Sequence, residues 1–260
     1  MKELALCAIL VVTGCAKTSS SDPAAAATGS VAGASAGSRA TDHFATSKGS
    51  LDITPLNHAS VLFAWSGKSI YVDPTLVALG AVADAALPKA DVIFVTDIHP
   101  DHLDPAAIGR VSKDGTVVVG PPAVAEKAHV DVVMKNGDTQ DVAGVGAEAV
   151  PMYNLVRGPG PGKLYHDKGR GNGYVLDFGG LRAYLSGDTE CTPEMRELSR
   201  IDVAFVCMNL PYTMPPAEAL QCVQAFHPKV LFPYHYRGSD LGELRNLAGQ
   251  GVDVRTRNWY

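Results

Sequence analysis

The sequence predicts a mixed α/β (α+β) chain folded as a four-layer αββα sandwich, and three observations carry that prediction. Short apolar, β-branched runs alternate with helical segments after the first fifty residues. These runs fall into two β-rich halves, each followed by its own helices. Polar, ligand-type residues recur at the ends of the apolar runs rather than inside them. Two sheets that each carry helices bury most apolar surface by packing face to face with the helices outside.

The N-terminus reads as a processing segment. Met1-Lys2-Glu3 is a short charged start, and the apolar run over 4–12 is too short to span a bilayer. Val12-Thr13-Gly14-Cys15 resembles the bacterial lipoprotein cleavage box, in which small residues precede a cysteine that becomes the lipidated first residue. That resemblance implies a signal peptide over 1–14, lipidation with palmitate-type chains at Cys15, and a protein anchored to a membrane rather than spanning it. Ala16, where aspartate would signal inner-membrane retention, points to the periplasmic side of a Gram-negative outer membrane; the expected location is the bacterial cell envelope. Residues 15–50 are rich in Ala, Gly and Ser without hydrophobic period, the composition of a flexible tether, and His43 within it is given no role. Residues 51–260 are then one domain of ordinary size.

Within that domain the period-2 and apolar runs predict strands over 51–56, 60–65 and 69–72, with Ser66-Gly67-Lys68 as a turn and Asp73-Pro74 as a stop. A strand over 92–95, a helix over 105–111, a strand over 116–119, a helix over 121–128 and a strand over 130–134 follow. The second half reads as strands over 147–152, 173–178 and 181–185, the last two a hairpin about Gly179-Gly180. Helix 193–199, strand 203–208, helix 217–226, strand 230–234, helix 241–248 and strand 252–255 complete it, and no internal repeat is visible.

A net charge of −5 and the absence of a basic cluster argue against nucleic acid as a partner. Cys207 and Cys222 read as core residues, and Cys191 as lying near the site without being a nucleophile.

The chemistry concentrates in Ala90-Asp91-Val92-Ile93-Phe94-Val95-Thr96-Asp97-Ile98-His99-Pro100-Asp101-His102-Leu103-Asp104. A buried strand ends in four ligand-type residues within six positions, and Asp104-Pro105 supplies a cap and first-turn proline for a helix. On extended backbone Asp97 and His99 face one point, and Asp101 and His102 can converge on a neighbouring one. Imidazole and carboxylate are the donors that zinc and similar divalent ions take. Asp188 follows the strand over 181–185, His235 follows 230–234 and Asn154 follows 147–152, as a site along one edge of two sheets requires.

Together these features resemble the metallo-β-lactamase superfamily over about residues 51–260. Its H-x-H-x-D-H signature corresponds to Asp97-Ile98-His99-Pro100-Asp101-His102, its bridging aspartate to Asp188 and its last histidine to His235. The stretches Leu56-Asn57-His58-Ala59-Ser60 and Val72-Asp73-Pro74-Thr75 are similar to the branch with lactonase-like and phospholipase-D-like hydrolases. The resemblance implies one intact pocket of Asp101, His102, Asp188 and His235, predicted to hold Zn2+, with Mn2+ or Fe2+ as alternatives. Two departures weaken the other pocket: Asp97 replaces the first histidine, and the middle histidine falls on Asn154, so it would offer Asp97, His99 and Asn154. His166 is the candidate to complete that pocket or to serve as proton donor, its other reading being an exposed loop histidine.

His58 is read as an outer hydrogen-bond partner or a turn residue, and Asp73 as orienting a ligand histidine or capping a turn. His129 and His227 read as surface or helix-end residues. Tyr153, Lys168, Tyr212 and Thr213 lie on loops from the same strand ends, where they either contact substrate or pack and cap. The function so implied is a metal-dependent hydrolase in which metal-bound hydroxide attacks an ester, lactone, amide or phosphodiester in a small-molecule or lipid-like substrate. Asp101, His166 and Tyr153 are its candidate catalytic residues, the last two as proton donors. The alternative is a metal- or ligand-binding surface lipoprotein that does not catalyse.

Overall fold

A computed structural model describes residues 40–80, 87–248 and 251–260. The signal segment, Cys15 and most of the tether lie outside the described residues.

The first sheet is built in chain order from β1 (Asp42–Thr46), β2 (Gly49–Asn57), β3 (Ser60–Trp65), β4 (Lys68–Val72), β5 (Val92–Phe94), β6 (Val117–Gly120) and β7 (Val132–Val133). The second runs through β8 (Thr139–Val142), β9 (Val145–Met152), β10 (Gly171–Phe178), β11 (Leu181–Leu185), β12 (Val203–Cys207), β13 (Val230–Tyr234) and β14 (Asp253–Val254). Each sheet makes its first three pairings antiparallel and its last three parallel. The two halves therefore repeat one topology although their sequences show no repeat.

The alternation of side chains explains the layers. In β5, Val92 and Phe94 point into the core between the sheets while Ile93 points outward under the helices; Val61 and Phe63 alternate with Leu62 in β3 in the same way. Both faces are buried, so these strands read as continuous apolar runs. Aromatic rings join the sheets: Phe63 meets Phe178 and Phe205 with centroids 5.2 and 5.9 Å apart, and Phe94 meets Tyr174 at 5.1 Å. Helices α1 (Leu76–Gly80), α2 (Pro105–Val111) and α3 (Pro122–Ala125) fall in the first half, and α4 (Pro193–Arg196), α5 (Pro216–Phe226) and α6 (Leu241–Ala248) in the second. The expected cap of α2 forms, since the Asp104 carboxylate accepts from the amides of Ala106 and Ala107 at 3.1 Å. His227 closes α5 in a left-handed conformation, the helix-end role expected of it.

Two expectations are corrected. Residues 42–50, assigned by composition to the tether, form β1 and the start of β2. The polar Asp42 is fixed by guanidinium groups of Arg255 and Arg257, and the Trp65 indole donates to Thr46 Oγ1 at 3.0 Å. These partners are distant in sequence, so a local composition window cannot register them. Second, Cys222 is not simply a core thiol: it is disulfide-bonded to Cys191, with Cα atoms 5.5 Å apart, which ties the segment after β11 to α5. Cys207 is the buried free cysteine.

Candidate metal centre

The parallel strands end at one edge, and there the chain leaves regular geometry. Asp73 after β4, His58 after β2 and His235 after β13 all adopt left-handed backbones, with φ of 45°, 53° and 46°. Non-glycine residues rarely hold this conformation unless the surroundings impose it, and it recurs at functional sites. After β11 the turn passes through Gly187 (φ 60°), where a Cβ would collide with the Met152 side chain, so the approach that delivers Asp188 requires glycine. Its amide donates to the Tyr234 hydroxyl at 2.8 Å, which couples the turn to β13.

His102, Asp188 and His235 converge and are all buried. His102 Nδ1 lies 2.8 Å from Asp73 Oδ2, and Thr96 donates both its amide and its hydroxyl to the same carboxylate. The carboxylate accepts, so Nδ1 carries a proton and Nε2 is the nitrogen left to face Asp188. That nitrogen lies 3.4 Å from Asp188 Oδ2, and His235 Nε2 lies 3.4 Å from Asp188 Oδ1. His102 Nε2 and Asp188 Oδ1 are buried without a hydrogen-bond partner. An unpartnered buried polar atom costs about 1–3 kcal/mol, so two within one cluster require an explanation. Ligand bonds of about 2.0–2.2 Å give a tetrahedral edge of about 3.3–3.6 Å, the separation seen here.

Asp101 stands beside this set, its Oδ2 3.3 Å from His235 Nε2 and 3.0 Å from His58 Nε2. The Tyr260 hydroxyl accepts from the amides of Tyr236 and Arg237, at 3.1 and 3.0 Å, and lies 2.8 Å from His58 Nδ1. With its acceptor positions filled, the hydroxyl donates to Nδ1, which leaves His58 with its proton on Nε2, directed at Asp101. Burial pushes the His58 imidazole below its ordinary pKa, in keeping with this neutral form. Burial alone would raise Asp101, but the imidazoles of His235 and His58 hold it well below the usual carboxylate range. Asp188, likewise resisted by burial, is held low by His235 and His102. Burial opposes charge on His102, but the facing carboxylates of Asp188 and Asp73 hold its pKa well above the ordinary value.

The neighbouring pocket gathers Asp97, His99 and His166. The sequence expectation of Asn154 as its third member is corrected. Asn154 Oδ1 accepts from the His166 amide at 2.9 Å and lies 2.6 Å from His166 Nδ1, while its Nδ2 donates to the Tyr212 carbonyl at 2.8 Å. The asparagine thus orients the histidine that takes the place expected of it, and an amide suits that task because one end accepts and the other donates. His166 is buried rather than an exposed loop residue; its Nε2 has no hydrogen-bond partner and points at Asp188 Oδ2, 3.3 Å away. Asp188 therefore faces both pockets.

Asp97 is wholly buried and engaged by Arg170, whose Nε and Nη2 donate to its two oxygens at 3.0 and 2.8 Å. His99 Nδ1 is 3.0 Å from the same carboxylate. Arg170 was not anticipated from the sequence. The signal available was an aspartate at the end of a buried strand, which needs a counter-charge, with a free arginine in Lys168-Gly169-Arg170-Gly171 ahead of β10. Tyr260 and Thr96 were missed because their roles arise only from contacts across the fold.

The remaining candidates fall outside the ligand set. The Tyr153 hydroxyl donates to Glu194 at 3.0 Å, with the Lys168 ammonium 2.5 Å from the same carboxylate, so neither side chain is brought to the cluster. Thr213 bonds Asn209 within a turn. His129 and His43 pair with Asp131 and Asp52 at the surface.

A sequence profile of the Beta-lactamase superfamily domain matches residues 52–235. The chain belongs to the metallo-β-lactamase superfamily. A UPF0173 metal-dependent hydrolase of Thermus thermophilus is 30% identical over 193 residues, covering 72% of this chain and 84% of that protein. One of Pelotomaculum thermopropionicum is 32% identical over 194 residues, with the same coverage of 72% and 84%. Among solved structures, a proposed metal-dependent hydrolase of Parabacteroides distasonis is 42% identical with a TM-score of 0.79, covering 85% of this chain and 100% of that one. The metallo hydrolase Igni18 of Ignicoccus hospitalis shares the fold at 21% identity and TM-score 0.63, over 79% and 94% of the two chains. The protein thus stands among the metal-dependent hydrolases of its superfamily, with His/Asp clusters of the kind such enzymes require.

Proposed function

We propose that the protein is a hydrolase of ester, lactone, amide or phosphodiester bonds whose principal ion is held by His102, Asp188, His235 and Asp101. The observation that carries this reading is the convergence of His102, His235 and Asp188, with each imidazole Nε2 3.4 Å from one oxygen of the Asp188 carboxylate and with His102 Nε2 and Asp188 Oδ1 buried without a hydrogen-bond partner. The absence of cysteine from the set favours a borderline or hard divalent ion, Zn2+ foremost, with Mn2+ and Fe2+ as alternatives. A divalent ion bound there supplies a water of near-neutral pKa and polarises the attacked oxygen. Asp73 and Thr96 lock the His102 ring; His58, positioned by Tyr260, locks Asp101. Asp101 Oδ2, held ionised by His235 and His58 and half-exposed, is placed as the ligand on the open side of the set. His166 is assigned to the second pocket as ligand rather than proton donor, since Asn154 engages Nδ1 and leaves the buried, unpartnered Nε2 to face Asp188.

Lipidation at Cys15 and residence in the cell envelope are part of the proposal. The Cys191–Cys222 disulfide supports them, because such bonds persist in oxidising compartments.

The discriminating experiment is metal analysis of the purified protein with a panel of p-nitrophenyl esters and bis-p-nitrophenyl phosphate. Bound metal with turnover that disappears in His102→Ala and His235→Ala is the expected result. The Arg170 guanidinium on Asp97 favours the non-catalytic alternative, in which one ion is held stoichiometrically and nothing on the panel turns over.

A further inference from the structure

Eight large apolar side chains reach solvent among the described residues, and several of them adjoin residues of the candidate metal centre. One group lies at the His58–Asp101 end. Val77, 71% exposed, lies in the first turn of α1 and lines a cavity of about 350 Å³ together with His58, Thr75 and Asp101, and the Tyr260 hydroxyl meets His58. The other group lies at the His166 end. Leu155 and Val156 directly follow Asn154, and Val156 is 78% exposed. Tyr212 accepts from Asn154 through its carbonyl and meets the Tyr165 ring edge-on at 5.0 Å.

These residues are held outward by their backbones. The amides of Leu155 and Val156 donate to the buried Glu190 carboxylate at 2.5 and 2.8 Å, which Arg157 also engages. The Leu76 amide donates to Asp104 at 2.8 Å. A fold gains nothing from pinning apolar side chains into water, whereas exposed apolar surface bordering a polar site marks where a ligand's own apolar surface is covered.

We propose that the substrate is a fatty-acyl ester or amide whose hydrocarbon chain lies on this rim while its carbonyl enters the metal centre. This rests on the hydrolase reading above and names its substrate class. The reaction is redox-neutral: water's oxygen bonds to the acyl carbon, the acyl C–O or C–N bond breaks, one proton goes to the leaving alcohol or amine, and the fatty acid remains. A flat bilayer is the weaker occupant, because the chain carries a net charge of −5, which anionic lipid repels, and Arg237 is the one cation among the described residues lining the cavity against Asp101 and Asp104. The cavity volume falls within the range of small-molecule sites.

The test is kcat/KM of the full, zinc-supplemented chain on p-nitrophenyl esters from acetate to decanoate, kept below their micellar concentrations. Full burial of a chain gives about a fourfold gain per methylene, so partial cover on an open rim is expected to give at least about a tenfold rise across the series, carried by KM. Val77→Ser and Val156→Ser are expected to flatten that slope. A wild-type slope within about threefold overturns the proposal and leaves the hydrolase reading standing. If no ester is turned over, the ester-hydrolase reading fails separately, and calorimetric binding of butyrate, hexanoate and decanoate decides the rim: affinity that rises with length and falls in Val156→Ser supports it, and length-independent binding overturns it. A flat slope with Val156-dependent binding to phosphatidylcholine vesicles assigns the rim to a membrane surface instead.

Discussion

The two pockets share Asp188 but differ in what stands behind their histidines. Behind His102 stands the buried Asp73 carboxylate, which accepts from Nδ1 and strengthens that imidazole as a donor to a cation, while His235 Nδ1 is buried without a partner. In the pocket of His99 and His166 the outer partners are the neutral amide of Asn154 and the guanidinium of Arg170, which already neutralises Asp97. The ligand atoms are similar; what differs is that His102 leans on a carboxylate that no lysine or arginine among the described residues engages, whereas His166 leans on a neutral amide and the Asp97 carboxylate beside His99 is already paired with Arg170. The outer partners, more than the ligands, therefore set which pocket holds an ion firmly.

The most severe way to break this contrast is His102→Ala, which removes a donor from the supported pocket. Metal affinity and turnover are expected to fall together by more than about 100-fold, the upper range for losing an orienting partner alone; retention of one tightly bound ion would place it elsewhere. Asp73→Asn keeps the ring but weakens its acceptor, with an expected 10- to 100-fold loss of metal affinity, about the usual cost of such a change, measured by chelator competition. Asn154→Asp sharpens the contrast in reverse by giving His166 an anionic partner, and a second metal equivalent is expected to bind about tenfold more tightly in titration calorimetry. Arg170→Gln acts through two opposed effects. A unit charge about 5–6 Å away opposes a cation by about 3 kcal/mol at an effective dielectric of 20. Loss of the bidentate clamp releases Asp97 and offsets most of that gain, so the expected rise in second-ion affinity is tenfold or less, about the residue of the two terms. Cys191→Ser is expected to touch the pockets least, shifting either affinity by no more than about threefold, while it lowers unfolding free energy by about 3–4 kcal/mol in urea, the cost of opening a 31-residue loop.

Much of the fold and one pocket were legible in the chain. Continuous apolar runs such as Val92-Ile93-Phe94 announced strands buried on both faces, and ligand-type residues after β5, β11 and β13 announced the edge at which they meet. What stayed hidden depends on partners far apart in sequence. β1 lay in a biased segment and is held by Arg255 and Arg257. The Cys191–Cys222 pair has no motif spacing. Asn154 sits where alignment expects a ligand; His166, twelve residues on, was already the sequence's candidate for that pocket, and what stayed hidden is that the Asn154 amide orients it. A residue's position along a strand end is written in the sequence; whether its side chain binds an ion or orients one that does depends on what lies across the gap.

The most direct measurement is anomalous diffraction at the metal edge from crystals of protein purified without added metal. The strongest peak is expected between His102 Nε2, His235 Nε2 and the Asp188 carboxylate, with a weaker peak or none at His99 and His166. A stronger peak in the Asp97–His99–His166 pocket, or an empty His102–Asp188–His235 pocket with metal bound elsewhere, would contradict it.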